Sequence, residues 1–194
     1  RVIVLDEVYE RFKERLLESS KSIHIGNPQD PINFVGPLVD KEAQQKVLNF
    51  VESCKDKYKL LFQSETPSSG HFVPVTVFDD VSNNSDLAKT ELFAPVLAII
   101  KAQNIDEAIE LANTTEYGLT AGLYSRSPEN IKKATTLLEA GNIYINRSIT
   151  GAMVLRHPFG GIKMSGIGSK TGGPDYLKQF MDPRVVTENT MRRG

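Results

Sequence analysis

The stretch PFGGIKMSGIG, residues Pro158–Gly168, indicates where this chain forms a site. It closely follows an apolar run, Asn142–Asn146, that is typical of a strand. Glycine is used where the backbone takes a positive φ or approaches another group closely. Flexible linkers do not place Phe, Ile and Met between their glycines. The stretch is therefore interpreted as the wall of a site rather than a linker, with an ordinary surface loop as the alternative.

Composition excludes several classes of function. The chain has 194 residues, a net charge of −1 and 40% hydrophobic residues, which favours a globular protein without a basic surface for nucleic acid. No apolar run approaches the roughly 20 residues of a membrane span. The single cysteine, Cys54, excludes an internal disulfide and favours a reducing compartment. We expect the cytoplasm, or the mitochondrial matrix if the source is eukaryotic.

Strand and helix patterns alternate along the chain, which predicts an α/β fold with a mostly parallel sheet and helices on both faces. Sites in such folds form beyond the carboxyl ends of strands. Strands are predicted at Val2–Leu5, Lys59–Gln63, Phe72–Val81, Pro95–Lys101, Leu119–Ser125 and Asn142–Asn146. Helices are predicted after caps at Asp6, Asp40, Asn104 and Ser127, the last ending near Ala140 before Gly141, and at Asp175–Phe180.

These elements predict one domain over residues 1–182 and a tail over residues 183–194. Within the tail, Arg184–Met191 has the alternating character of a strand and follows Pro183. The chain also begins directly in a strand, so we expect it to be part of something longer.

Several familiar motifs fail on inspection. The segment Gly166–Thr171 resembles a dinucleotide fingerprint but has Thr171 where Gly or Ala is required. The three histidines are far apart in the sequence, and none has metal-ligand spacing to Cys54, so no metal site is predicted. Cys54 lies on the apolar face of its predicted helix, which favours a buried structural thiol over a nucleophile.

Two separated stretches resemble one family. ELFAPV, residues Glu91–Val96, resembles the Glu-x-Phe-Gly-Pro motif of the aldehyde dehydrogenase superfamily, with Ala94 where most relatives have Gly. Pro158–Gly168 resembles the Pro-Phe-Gly-Gly-x-Lys-x-Ser-Gly signature of that superfamily. Within it, Asn146–Ala152 and Gly168–Leu177 are similar to the 1-pyrroline-5-carboxylate dehydrogenases. The resemblance implies the catalytic domain of an aldehyde dehydrogenase.

The resemblance also implies a reaction and a cofactor. These enzymes oxidise L-glutamate γ-semialdehyde, the open form of 1-pyrroline-5-carboxylate, to L-glutamate with NAD⁺, in proline catabolism. On this basis Glu91 accepts hydrogen bonds from the nicotinamide-ribose hydroxyls, and Phe93 packs beside that ribose.

The implied substrate residues follow the last predicted strand. By the same resemblance, Thr150, Gly151 and Ala152 form an anchor loop whose backbone N–H groups bind the substrate carboxylate. Phe159 lies against the aliphatic part of the substrate.

The resemblance places the reactive groups elsewhere. In the family, the nucleophilic cysteine lies just upstream of the strand at which Arg1 begins, and the general-base glutamate and the dinucleotide-binding domain lie further upstream. No catalytic residue is therefore expected in this chain, which alone is expected to be inactive, and NAD is expected to be bound mainly by the missing domain.

The resemblance implies partners as well. The tail strand is expected to join a neighbouring subunit's sheet in a homo-oligomer, and such domains also occur fused behind a proline dehydrogenase. Two alternatives stay open: another aldehyde dehydrogenase, such as one for succinate semialdehyde, or a non-catalytic binding or assembly module on the same scaffold.

Overall fold

The structure, a computed structural model, describes residues 1–153 and 156–191. The chain groups into two compact units, Arg1–Thr115 and Glu116–Gly194. The first unit contains β1 (Val2–Leu5), α1 (Tyr9–Lys21), α2 (Lys41–Lys55), β2 (Lys59–Gln63), β3 (Thr76–Asp79), α3 (Asp86–Lys89), β4 (Val96–Ala102) and α4 (Ile105–Asn113). The second contains β5 (Tyr117–Gly118), β6 (Thr120–Leu123), α5 (Pro128–Leu137), β7 (Asn142–Ile145) and β8 (Ile162–Lys163).

The first unit is built on a four-stranded sheet with the order β1-β4-β3-β2. The central strand β4 is parallel to both β1 and β3, and β2 closes one edge antiparallel to β3. The predicted α/β fold with a mostly parallel sheet is confirmed.

Alternate residues of β4 face opposite layers of helices. Ala98 and Ile100 belong to a core cluster with Val47 and Val51 of α2. Ile99, which is fully buried, belongs to a second cluster with Tyr9 at the start of α1. Because side chains alternate across a strand, one apolar run in β4 supplies both layers, and the prediction of helices on both faces is confirmed.

Most of the predicted helix starts are correct. The side chains of Asp40, Asn104 and Ser127 each accept a hydrogen bond from the backbone N–H three residues later, as helix caps do. The predicted cap at Asp6 is wrong: Asp6 lies in a 3-10 turn, and its carboxylate is 2.5 Å from the ammonium of Lys101. The Asp6 carboxylate thus pairs with Lys101 of β4 and does not cap the helix.

Two predicted strands are shorter or absent. The strand predicted at Phe72–Val81 is formed only over Thr76–Asp79. Pro74, which has no N–H to donate to a ladder, precedes it, and Asp80, with a left-handed φ of +55°, follows it. Within the described part of the tail, residues 183–191, the chain forms no strand. The role of Arg184–Met191 in assembly therefore stays a prediction.

The second unit contains two small sheets. β6 and β7 pair in parallel, with Thr120 opposite Asn142 and Leu123 opposite Ile145. β5 and β8 pair antiparallel, so that the glycine-rich stretch contributes a strand of its own.

A buried carboxylate connects α1 to the sheet of the first unit. Asp79, at the carboxyl end of β3, is only 4% exposed and accepts a hydrogen bond from the Tyr9 hydroxyl. Its second oxygen lies 3.2 Å from the Lys13 ammonium. Burial by itself raises the pKa of Asp79, but the hydrogen bonds from Tyr9 and Lys13 outweigh it and hold the pKa below its ordinary value. The carboxylate is thus stabilised in its charged form, as a buried charge requires.

We expect Tyr9→Phe to lower the free energy of unfolding by about 1–3 kcal/mol, because it leaves buried Asp79 without one donor. The folded-state pKa of Asp79 is depressed, so its contribution is present above the unfolded pKa of about 4 and is lost as pH falls through the folded pKa. Urea denaturation should therefore show a constant difference from wild type between about pH 5 and 8 that shrinks below about pH 4. Tyr58→Phe is the control, since the Tyr58 hydroxyl has no hydrogen bond within the described residues. An equal loss in both variants would contradict the assignment.

Candidate functional site

The loop between α3 and β4 holds Glu91 and Phe93. Both side chains are exposed, and the ring of Phe93 is 83% exposed. The Glu91 carboxylate makes no hydrogen bond or ion pair within the described residues. This loop lies at the amino end of β4, whereas the sequence argument placed sites beyond the carboxyl ends of strands. The sequence motif at Glu91–Val96 therefore points to residues that the rule about the carboxyl ends of strands would not have selected.

Phe93 has a strained backbone conformation. Its φ is +51°, a left-handed value that is rare for an aromatic residue. A backbone conformation of this kind costs on the order of 1–3 kcal/mol. In Phe93 it is combined with an apolar ring that is exposed to solvent. A carboxylate with both oxygens free can accept two hydroxyls of a vicinal diol. The pair therefore fits a ligand that offers a diol and an apolar face, as a ribose does.

The loop after β7 begins with a fixed turn. Asn146 has a φ of +53°, and its side-chain amide both donates to the Ser125 carbonyl and accepts from the Ser125 N–H, each at 2.8 Å. Asparagine tolerates this conformation better than most residues. The direction in which the chain leaves β7 is thereby set by side-chain hydrogen bonds to the end of β6.

The predicted anchor loop consists of Thr150, Gly151 and Ala152. Because Gly151 and Ala152 have little or no side chain, their backbone groups are accessible for binding. Gly151 has a φ of +87°, which favours glycine. The N–H groups of Gly151 and Ala152 donate to no acceptor within the described residues. The Ser148 and Thr150 hydroxyls lie 2.8 Å apart and hold the start of the loop. Successive backbone N–H groups at a turn can bind an anion, and these two have no acceptor among the described residues.

Phe159 is half-buried and is fixed through its backbone. Its N–H donates to the Thr171 carbonyl at 3.0 Å, and its carbonyl accepts from the Thr171 N–H at 3.1 Å. Residues 154 and 155, which follow Met153 and precede the segment that leads to Phe159, are not among the described residues.

The glycine-rich stretch also makes very close backbone contacts. A Cβ on Gly141 would lie 1.8 Å from the Gly160 carbonyl oxygen, so these two backbones touch directly. The Gly118 N–H donates to the Ser165 hydroxyl at 3.0 Å, and Lys163 lies 2.5 Å from Glu139. The Lys and Ser of the stretch therefore brace it, a role that sequence reasoning did not assign.

These close contacts correct one prediction. The helix that begins at Pro128 ends at Leu137, not near Ala140, and Gly141 does not terminate it. Instead the Gly141 N–H donates to the Gly118 carbonyl at 2.8 Å, and the Lys170 ammonium donates to the Gly141 carbonyl. Gly141 is glycine because of the Gly160 backbone beside it.

A family model described as the aldehyde dehydrogenase family matches residues 1–186. The chain belongs to this family.

Curated relatives of the chain include 1-pyrroline-5-carboxylate dehydrogenases. The 1-pyrroline-5-carboxylate dehydrogenase of Anoxybacillus flavithermus is 42% identical over 189 residues, and that of Bacillus subtilis is 40% identical. Each match covers 97% of this chain and 37% of the relative, so the chain spans just over a third of the length of these proteins.

Solved structures of aldehyde dehydrogenases superpose well on the chain. Proline utilization A (PutA) from Bdellovibrio bacteriovorus is 57% identical, with a TM-score of 0.95 over 100% of this chain and 20% of that one. A 1-pyrroline-5-carboxylate dehydrogenase from Thermus, solved with bound NAD, is 39% identical, with a TM-score of 0.87 over 93% of this chain and 35% of that one. The predicted family and fold are confirmed.

Outside these loops, the described residues offer little that is reactive. Cys54 is 3% exposed, and burial raises the pKa of its thiol, which favours the uncharged form. No three His, Cys, Asp or Glu side chains in the described part of the chain are arranged to hold a metal ion. Among the helices of that part, none combines the length and the apolar character needed to cross a membrane.

We expect Gly141→Ala to destabilise the aldehyde dehydrogenase fold by about 3 kcal/mol, because the added methyl group overlaps the Gly160 carbonyl, which is backbone and cannot turn aside. Thermal unfolding measures the loss. Gly36→Ala is the matched control: its added Cβ would lie 3.8 Å from Pro28, an ordinary contact, and should change stability by less than about 1 kcal/mol. Equal stability of the two variants would contradict the close approach of the Gly141 and Gly160 backbones.

Proposed function

We propose that the protein carrying this chain is an NAD-dependent dehydrogenase that oxidises L-glutamate γ-semialdehyde to L-glutamate in proline use. The observation that carries the proposal is the pair of N–H groups at Gly151 and Ala152, which have no acceptor within the described residues and suit a substrate with a carboxylate remote from its aldehyde. The names of the relatives support the same substrate, and the name of the 57% identical proline utilization A supports a role in proline use.

The proposed reaction converts an aldehyde, NAD⁺ and water into a carboxylate, NADH and two protons. NAD, when bound, supplies the hydride acceptor. The nucleophile and the general base implied by the resemblance correspond to no residue of this chain, so we assign the steps at the aldehyde carbon to residues outside it. The work of these 194 residues is to bind and orient.

The anchor loop holds the far end of the substrate. An anion bound by backbone amides needs no basic side chain and leaves little room for a bulky one, which is why Gly151 and Ala152 suit the position. The half-buried ring of Phe159 lies against the aliphatic stem between the two ends. The loop thereby sets how far the aldehyde is from its anchored carboxylate.

Glu91 and Phe93 hold the cofactor. The two oxygens of Glu91 accept the hydroxyls of the nicotinamide ribose, and Phe93 covers an apolar face of the same sugar. Binding relieves the exposure of the Phe93 ring, which is 83% open to solvent in the chain alone. A 39% identical structure that contains NAD supports this use.

We expect Gly151→Val to raise KM for L-glutamate γ-semialdehyde by about tenfold or more, since a β-branched residue at this positive φ distorts the loop. KM for propanal, which has no carboxylate to anchor, should change less than about twofold. Initial rates of NADH formation in the full-length protein measure both constants.

Gly70→Val is the matched control for backbone strain. Gly70 also has a positive φ, +108°, but lies in the turn between β2 and β3. This variant should lose stability without changing the ratio of the two KM values. A wild-type protein that prefers succinate semialdehyde, or a Gly151→Val variant equally impaired on both aldehydes, would contradict the proposed substrate.

We expect Glu91→Gln to raise KM for NAD⁺ by about tenfold, because an amide accepts with one oxygen where the carboxylate accepts with two. KM for the aldehyde should stay near the wild-type value. Glu14→Gln is the control, since Glu14 is an exposed carboxylate on α1 without a partner in the described residues. Steady-state kinetics with varied NAD⁺ provide the measurement, and an unchanged KM for NAD⁺ would remove Glu91 from the cofactor site.

A further inference from the structure

Arg147 lies between β7 and the anchor loop and is in contact with both. Its guanidinium carbon is 5.2 Å from the centroid of the Tyr144 ring, which belongs to β7. Its Nη2 atom donates to the Thr150 carbonyl oxygen at 3.3 Å. The side chain is exposed, and within the described residues it has no ion-pair partner. A guanidinium held over the face of a ring is restrained by the cation–π attraction, which limits the directions in which its donors can point.

The carbonyl that Arg147 contacts shares a peptide group with the Gly151 N–H, the first of the two anchor-loop amides that have no acceptor among the described residues. In a trans peptide the C=O of Thr150 and the N–H of Gly151 point in opposite directions across one plane. Fixing the carbonyl therefore fixes the direction of the N–H. Gly151 has no side chain with which to resist rotation of this peptide, so the restraint has to come from elsewhere.

We infer that Arg147 is a positioning residue for recognition of the substrate carboxylate. Its hydrogen bond to the Thr150 carbonyl, supported by the Tyr144 ring, directs the Gly151 N–H toward the anion. Arg147 acts through the peptide and not by touching the substrate, because it occupies the carbonyl side of the plane and the N–H points away from it. The inference rests on the proposed function, since it concerns the same carboxylate.

The first test is a kinetic comparison of variants of the full-length protein on two aldehydes. Arg147→Ala should raise KM for L-glutamate γ-semialdehyde by about tenfold, the loss of one hydrogen bond from a charged donor, with kcat and KM for propanal near wild type. Arg147→Lys, which keeps a donor and a charge, should recover part of the loss. A purely structural role would instead change both aldehydes together.

Tyr144 supplies the coupling test and its control. Tyr144→Leu removes the ring under the guanidinium and should raise the same KM by about threefold, whereas Tyr144→Phe keeps the ring and should leave KM unchanged. In the double variant with Arg147→Ala, the Leu substitution should add no further loss, because the ring acts only through Arg147. Additive losses would overturn the inference.

Salt dependence separates positioning from direct contact. If Arg147 touched the substrate anion, raising KCl from about 0.05 to 0.5 M would screen the pair, and the KM ratio of Arg147→Ala to wild type would fall toward one. Positioning through a neutral peptide predicts a ratio that stays constant. A falling ratio overturns the inference.

The activity of the wild-type protein distinguishes a failure of the proposed function from a failure of the role inferred for Arg147. If the wild-type protein does not oxidise L-glutamate γ-semialdehyde, the proposed function fails first. If it does, and Arg147→Ala has wild-type KM for it, only the role of Arg147 fails. Thermal unfolding of each variant confirms that it is folded, and Tyr144→Leu provides a second route should Arg147→Ala not fold.

Discussion

The contact between the Gly141 and Gly160 backbones is the constraint on which the second unit depends. Two chain segments meet there with no side chain between them, and any Cβ at Gly141 would occupy the position of a carbonyl oxygen. Around this contact, Lys170 donates to the Gly141 carbonyl and the Asn142 amide donates to the Gly160 carbonyl at 3.0 Å. The glycine-rich stretch thus begins from a fixed point, and the residues that precede and follow it are placed relative to that point.

The two units achieve order by different means. In the first, alternating apolar side chains of β4 pack between helices, and the burial of apolar side chains such as Phe78 and Ile99 contributes stability. In the second, backbone groups are paired directly and side chains serve as braces, as Asn146 does for Ser125. The proposed anchor loop would bind through backbone amides, and it suits the second kind of unit because the direction of those amides depends on how the main chain is held.

The sequence predicted elements well where the signal was local and periodic. β1 and β2, and the helix starts after Asp40 and Asn104, follow from apolar spacing and capping chemistry and needed no tertiary information. The prediction of a helix cap failed at Asp6, because its carboxylate pairs with Lys101, a residue that is distant in the sequence. The family motif pointed to both candidate loops, but it did not reveal that Lys163 and Ser165 are braces, since their partners Glu139 and Gly118 are distant in sequence.

The exposed, left-handed Phe93 has a consequence for how this chain can evolve. Replacement by glycine would relieve the backbone and remove an apolar ring from water, so selection for stability alone would favour the loss of the ring. A ligand, or another part of the protein, that covers the ring would offset that pressure. Under the proposed role of Phe93 in NAD binding, this position would be among the first to change in a lineage that no longer binds the cofactor, and the residue found there would record whether binding is still under selection.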